Sequence, residues 1–435
     1  MSNTIIKQIE GGVCAAKGFK AAGIHAGVKT NNSHKKDVAL IVSDCDCNAG
    51  AVYTKNVVKA APLLITKQNL ENGHARAIIA NSGNANACAP NGEINAQKMC
   101  RAAAAAIGID EKDVIVASTG VIGQELAISV IEKRAGELAA GLSYDGSQDA
   151  ASAIMTTDLA RKEYAVEFSL GGKTVKIGGI AKGSGMIHPN MGTMLAFLTT
   201  DCAIGSKMIQ KALVEAAKVS FNRISVDGDT STNDMLCLLA NGMAGNNEIS
   251  DELAEQIDVW YDLTPQGGVA DKEEPPGAAA FDTFCEALNT VCIELAKMMA
   301  ADGEGATHMI TCHVAGAASE EDAETLAKSV ISSTLTKAAI FGSDANWGRV
   351  LCAMGYSGID FDPNSIDIAF ESEAGKVVVC ENGRGLPFDE DVAKKILTEH
   401  DITIDIAVKA GASKCTCWGC DITYDYIKIN GDYRT

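Results

Sequence analysis

A glycine followed by a threonine opens an apolar run in the middle of the chain: Gly192-Thr193, then Met194 to Leu198. Glycine tolerates the distorted backbone that an N-to-O acyl shift requires, because it has no Cβ. The Thr193 hydroxyl could attack the Gly192 carbonyl. Cleavage there would leave Thr193 with a free α-amine of pKa roughly 7.7–8.0, a base carried on the nucleophile's own residue. Two further groups would complete such chemistry. Thr119 and the backbone N–H of Gly120 could donate to the oxyanion that develops in acyl transfer. Lys182, in Lys182-Gly183-Ser184-Gly185, suits a substrate carboxylate or the polarisation of a reacting group. Each has a plainer reading as well: a Gly-rich turn feeding a core strand, a Thr-Gly turn, and a surface lysine.

The elements that must position these residues are legible in outline. Val38 to Val42, Ala77 to Ala80 and Asp113 to Ala117 read as short strands, the last feeding Ser118-Thr119-Gly120. Asn81-Ser82-Gly83-Asn84-Ala85-Asn86-Ala87 reads as a polar loop before a helix from about Ile94 to Ile107, and a second helix runs to about Leu142. A helix from about Ala151 meets Met155-Thr156-Thr157-Asp158. A hairpin through Gly171-Gly172, with strands Ala165 to Leu170 and Thr174 to Ile180, then delivers the chain to Lys182. Met194 to about Thr200 reads as a buried strand and Ser206 to Asn222 as a helix. The acidic loop Asp227-Gly228-Asp229-Thr230 lacks the twelfth-position glutamate of an EF-hand, and Ser231 and Thr232 suit caps of a following helix.

Residues 243 to 280 read as surface insertions, and a long helix spans about Ala278 to Ala300. Glu304 lies between two glycines before a strand, Thr307 to Val314, where it could meet a cationic amine or form a solvated turn. A helix from Glu320 to about Lys337 follows. Strands at Ile366 to Phe370, Lys376 to Val379, Thr403 to Val408 and Ile422 to Ile429 read as an antiparallel sheet with a helix at Asp389 to Leu397. The last residues, 430 to 435, read as frayed.

Lys182 to Asp201, ending Thr199-Thr200-Asp201, closely resembles the self-processing segment of the ornithine acetyltransferase family, the glutamate N-acetyltransferases of the cyclic arginine pathway. The likeness extends over essentially the whole chain, through the Asn-Ser-Gly-Asn-Ala-Asn, Met-Thr-Thr-Asp, Asp-Gly-Asp-Thr and Phe341-to-Arg349 segments. The resemblance implies that Gly192-Thr193 is the cleavage site, with Thr193 as nucleophile and Thr119 and Gly120 as the oxyanion hole. It implies substrate binding by Thr156, Lys182, Thr193, Glu304, Asn430 and Thr435. It also implies an α/β/β/α layered core of the N-terminal-nucleophile kind with an additional α/β domain. The chain would be cut into residues 1–192 and 193–435, paired as an α2β2 heterotetramer. The reaction implied is acetyl transfer from N2-acetyl-L-ornithine to L-glutamate by a ping-pong route, with no cofactor and with acetyl-CoA as a candidate second donor. Two residues depart from the family's pattern: Gly192 replaces an alanine, and His308 replaces a lysine.

Composition limits the alternatives. The 435 residues are 47% hydrophobic and 21% charged, ordinary for a soluble globular chain. A formal charge of −19 argues against nucleic acid or an anionic membrane surface as a partner. No apolar stretch reaches the roughly 18 residues of a membrane span, and Met1 to Glu10 lacks a signal-peptide core, so a cytoplasmic protein is expected. Fifteen cysteines in such a chain read as reduced structural thiols. Cys45-Asp46-Cys47 and Cys417 to Cys420 lack a second pair at zinc-finger spacing, and Cys417 to Cys420 reads as strand, so no metal is expected. An N-terminal-threonine amidase or aminopeptidase, sending the acyl group to water, and a non-catalytic binding protein remain the competing readings.

Overall fold

The longest strand, Val38–Tyr53, organises the first half of the molecule. A computed structural model of the chain describes residues 5–30, 34–188, 194–263 and 275–432. Among these, one mixed sheet runs in the order Lys7–Ile9, Lys162–Leu170, Lys173–Lys182, Leu195–Thr200, Met235–Ala240, Val38–Tyr53, His74–Asn84 and Val114–Val121. Phe19–Ile24 also pairs with the long strand. The register breaks between Val42 and Cys47, and the two ends of Val38–Tyr53 serve different neighbours. Residues 38–43 pair with Phe19–Ile24, whereas 48–53 pair with Met235–Ala240. An irregularity of this kind bends a strand and lets a sheet curl on itself.

The core follows from that bend. Ile41, Ile78 and Ile115 of one leaf pack in one cluster with Leu195, Phe197 and Cys237 of the other. Outside the first leaf, Leu40, Ile79 and Val116 pack against the helix Gly92–Ile107 through Met99 and Ala103. Outside the second, Val166, Ile177 and Leu198 pack against Ser206–Val219 and Ala278–Ala301. Helices thus flank two facing leaves, the α/β/β/α arrangement expected.

A second sheet runs Arg384–Gly385, Gly375–Glu381, Asp367–Ser372, Asp401–Ala407, Met309–Ala317, Ser413–Cys420 and Ile224–Ser225. One face packs on the helices Glu320–Ser332, Trp347–Gly355 and Glu390–Leu397. This sheet is mixed rather than antiparallel, because Met309–Ala317 runs parallel to Asp401–Ala407.

Several elements differ from the sequence reading for identifiable reasons. Asn81 to Asn84 continues the strand His74–Asn84, because its backbone extends the parallel ladder to Val114–Val121. Ser231 and Thr232 cap no helix, since the next element is the strand Met235–Ala240. The Glu320-to-Lys337 helix is two, broken at extended Ser333, whose side chain caps Thr334–Phe341 through the Thr336 N–H. Within 243–280 the helix Leu253–Leu263 forms. Ile422 to Ile429 is not a strand: Thr423 caps the helix Tyr424–Gly431 by accepting from the Tyr426 N–H. Among the described residues, no helix is long and apolar enough to cross a membrane.

Candidate active site

Thr119 and Gly120 lie near the end of Val114–Val121, and Lys182 is the last residue of Lys173–Lys182. The Lys182 ammonium donates to the Thr119 hydroxyl at 3.4 Å. Gly120 has φ of +132°, and a Cβ there would stand 2.4 Å from the Gly83 carbonyl carbon. Only glycine lets these two strands meet so closely. Lys182 pairs in register with Leu195, and the Met194 carbonyl accepts from the Met235 N–H at 3.0 Å. The strand that follows the Gly192-Thr193 pair therefore starts beside Lys182. Gly192 and Thr193 themselves lie outside the described residues, as does Thr435.

Asp158 binds this corner together. Its carboxylate accepts from the Gly183 N–H at 2.7 Å, the Thr156 N–H at 2.9 Å and the Lys162 ammonium at 2.7 Å. Burial alone would raise its pKa, but the Lys182 and Lys162 charges and these hydrogen bonds outweigh that and hold the carboxyl well below its usual range. Lys182 is only 5% exposed, and burial lowers its pKa against the raising effect of Asp158. Asp302 accepts from Lys162 and from the Leu159 and Ala160 N–H groups, and its carbonyl accepts from the Ser184 hydroxyl at 2.7 Å. One buried network thus carries the loops of Thr156, Lys182 and Glu304.

Glu304 and Asn430 close the other side. Glu304 is 6% exposed; its N–H donates to the Ser184 carbonyl and its carboxylate accepts from Asn430 Nδ2 at 2.7 Å. A Cβ on Gly185 would stand 2.3 Å from that carboxylate, so the glycine is required by the glutamate. Thr156 sits slightly apart, lining a cavity of about 730 Å³ with Lys29, Asp158 and Arg161. The structure therefore brings Thr119, Gly120 and Lys182 together, bonds Glu304 to Asn430, and ties Thr156 to both through Asp158.

The sequence reading gave several participants no place in the site. Lys29 packs over Gly83, donates to the Met155 and Lys36 carbonyls, and is pushed down by burial to about 8. Nothing in its local sequence distinguishes it from a surface lysine. Asp227 accepts from the Met186 and Ile187 N–H groups and from the Tyr426 hydroxyl, clamping the stem that precedes residues 189–193. Thr230 adds a bond to the His188 carbonyl at 3.0 Å, and Asn233 donates to the Ser118 and Ala85 carbonyls. The acidic Asp227-to-Asp234 segment is a brace for the site rather than a helix cap; the Asp-Gly-Asp-Thr resemblance was the signal that singled it out. His308, in place of a lysine, pairs with Asp421 at 2.9 Å and so holds the strand after Glu304. All fifteen cysteines are free, and among the described residues no cluster could hold a metal ion.

Residues 20–435 match the family model described as ArgJ family. The chain is 48% identical over 428 residues, 98% of its length and 99% of the relative's, to the arginine biosynthesis bifunctional protein ArgJ of Symbiobacterium thermophilum. It is 45% identical, with the same coverage, to the protein of that name from Caldanaerobacter subterraneus subsp. tengcongensis. A crystal structure of the Bacillus halodurans protein so named is 39% identical, covering 55% of this chain and 99% of that one, with a TM-score of 0.47.

Proposed function

The chain belongs to the ArgJ family, acetyltransferases of arginine biosynthesis, and from that premise we propose that it moves the acetyl group of N2-acetyl-L-ornithine to L-glutamate through an ester on Thr193. The observation that carries this reading is the meeting of Lys182, Thr119 and Gly120 beside the start of Leu195–Thr200. A nucleophile at residue 193 enters there with donors already in place.

The chemistry runs in two halves. In self-cleavage Thr193 Oγ takes the Gly192 acyl group from the amide nitrogen and water hydrolyses that ester, leaving a Gly192 carboxylate and a free Thr193 amine. That amine then takes the hydroxyl proton as Oγ attacks the acetyl carbonyl. The oxyanion forms against the Thr119 hydroxyl and the Gly120 N–H, groups that need no reorganisation because the glycine contact fixes them. Collapse breaks the amide bond, the Thr193 ammonium returns the proton to the departing α-amine, and ornithine leaves. Glutamate's amine then attacks the ester by the reverse path. Donor and acceptor share an α-amino-acid part, so one site serves both halves. Lys182 and the tail residue Thr435 suit carboxylates, Thr156 binds substrate, and Glu304 held by Asn430 suits the cationic ornithine side chain. Acetyl-CoA as a second donor, an α2β2 assembly of the cut chains and a cytoplasmic location complete the proposal.

The test is intact mass spectrometry followed by single-turnover labelling. Incubation with N-[14C]acetylornithine alone should give stoichiometric label on the peptide beginning at Thr193, discharged by glutamate to labelled N-acetylglutamate. An uncut chain, or label passing to water at the same rate with and without glutamate, would refute transfer.

A further inference from the structure

A groove unrelated to this site runs along an open edge of the long strand. Residues 48–53 pair with Met235–Ala240 on one side, while on the other the pairing to His74–Asn84 stops at Asn48. The Thr54 N–H donates to the Asp234 carbonyl at 3.1 Å. Antiparallel alternation therefore turns Val52 and Gly50 toward that neighbour, and Ala51 and Tyr53 the other way. Ala49 has the parity of Ala51, and its N–H indeed leaves the pair to meet the Gly73 carbonyl at 2.8 Å. For the backbone groups of Ala51 and Tyr53 no such partner exists among the described residues.

These groups face a cavity of about 930 Å³. One wall is the stripe Lys207, Gln210, Val214 and Lys218, at helical spacing on Ser206–Val219; the other is Lys67 and Leu70. Lys55 also lines the cavity. Four exposed lysines thus surround the groove against one carboxylate, Glu71. None of the four makes an ion pair among the described residues, in a chain of charge −19.

We propose that this groove binds an extended acidic peptide segment of a partner protein. The segment adds as a strand to the Ala51 and Tyr53 edge while its carboxylates meet the four lysines. The dimensions agree: the eleven helical rises from Lys207 to Lys218 span roughly 16 Å, the length of about five extended residues. A small anion would use the lysines and leave the backbone ladder empty. Lysines that merely guard an edge against self-pairing need no cavity between two helices.

The test uses the whole protein and a labelled five-residue peptide of alternating glutamate and valine, read by fluorescence anisotropy. Binding should weaken about tenfold in Lys207→Glu/Lys218→Glu. It should weaken comparably when alternate peptide amides are N-methylated with the charges kept. Acetyl transfer should be unchanged in the lysine variant, which shows that the fold is intact. Hydrogen exchange at the Ala51 and Tyr53 amides should slow on binding. No binding at about 1 mM peptide, well past the weakest affinity of interest, overturns the proposal. So does equal binding of the N-methylated peptide, or displacement by tripolyphosphate that binds more tightly than the peptide, which would make the groove a phosphate site.

Discussion

The two sides of the candidate active site are built differently. Lys182, Thr119 and Gly120 stand at the ends of strands in a sheet whose central members, Leu195–Thr200 and Met235–Ala240, are buried at every residue. Glu304 and Asn430 come from a loop and from the helix Tyr424–Gly431, which has no buried residue and leaves Tyr424 84% and Ile427 65% exposed. That helix is attached by its Thr423 cap, the Thr423–Gly305, Tyr426–Asp227 and Asn430–Glu304 bonds, and an edge-to-face contact of Tyr424 with Phe341. Groups that must meet a developing charge are fixed by ladders and close backbone contact. Of the groups that must meet a substrate's far end, Glu304 is buried and tied by its N–H to Ser184, while Asn430 hangs on a few bonds of an exposed helix, at the low-stability end of the structure.

Substitutions should separate the sides. Thr193→Ala should leave the chain uncut and abolish transfer, the largest effect expected; mass spectrometry and the labelling assay check it. Gly120→Ala forces a Cβ into the Gly83 backbone and should lower kcat by about 10² or more, the scale of losing an oxyanion donor, with a smaller change in KM.

Asp158→Asn should cost about 3–5 kcal/mol, because Lys162 and Lys182 lose a buried counter-charge. The wild-type contribution has a defined sign. The folded pKa is depressed, so this stability is fully present above the unfolded value of about 3.9 and is lost as pH falls through the folded pKa. Denaturant unfolding between neutral and strongly acid pH should therefore show an acid-side slope that Asp158→Asn flattens.

On the other side, Glu304→Gln should raise KM for the ornithine donor by about tenfold and leave kcat near wild type, the pattern of lost uniform binding. An equal loss in both would place Glu304 with the fixed group and erase the distinction. The smallest effect is His308→Lys, which places an ammonium donor beside the buried Asp421 carboxylate and should shift stability by about 1 kcal/mol. His308→Ala leaves that buried carboxylate to Thr307 and the backbone and should cost about 1–3 kcal/mol by thermal melting.

The same division decides what could be read from the sequence. The Gly171-Gly172 hairpin, the strand into Thr119-Gly120 and the helix Ala278–Ala301 follow from local pattern, and the structure has them. The extent of Val38–Tyr53 does not, because Cys45-Asp46-Cys47 gives no strand signal and the run is held by neighbours far along the chain. Ile422 to Ile429 misled because its apolar residues suggest a buried strand, whereas the segment is an exposed helix set by one threonine cap. The flanking glycines marked a turn at Glu304, and one of them carries a left-handed backbone at φ +68°, but that the turn is buried rather than solvated was not legible. Lys29 and Asp158 were not marked, since their roles come from burial beside Lys182 and Lys162, a property of the assembled sheet.

The strand order of the first sheet also governs when that sheet can form. Leu195–Thr200 and Met235–Ala240 lie between Lys173–Lys182 and Val38–Tyr53, so the middle of the sheet is the last of it to leave the ribosome. Until residue 240 or so has emerged, the two leaves exist as separate halves with exposed edges and no ladder joining them. Pairings of such long sequence separation fold slowly. The nascent chain therefore carries those edges unpaired for longer than a sheet assembled in chain order would.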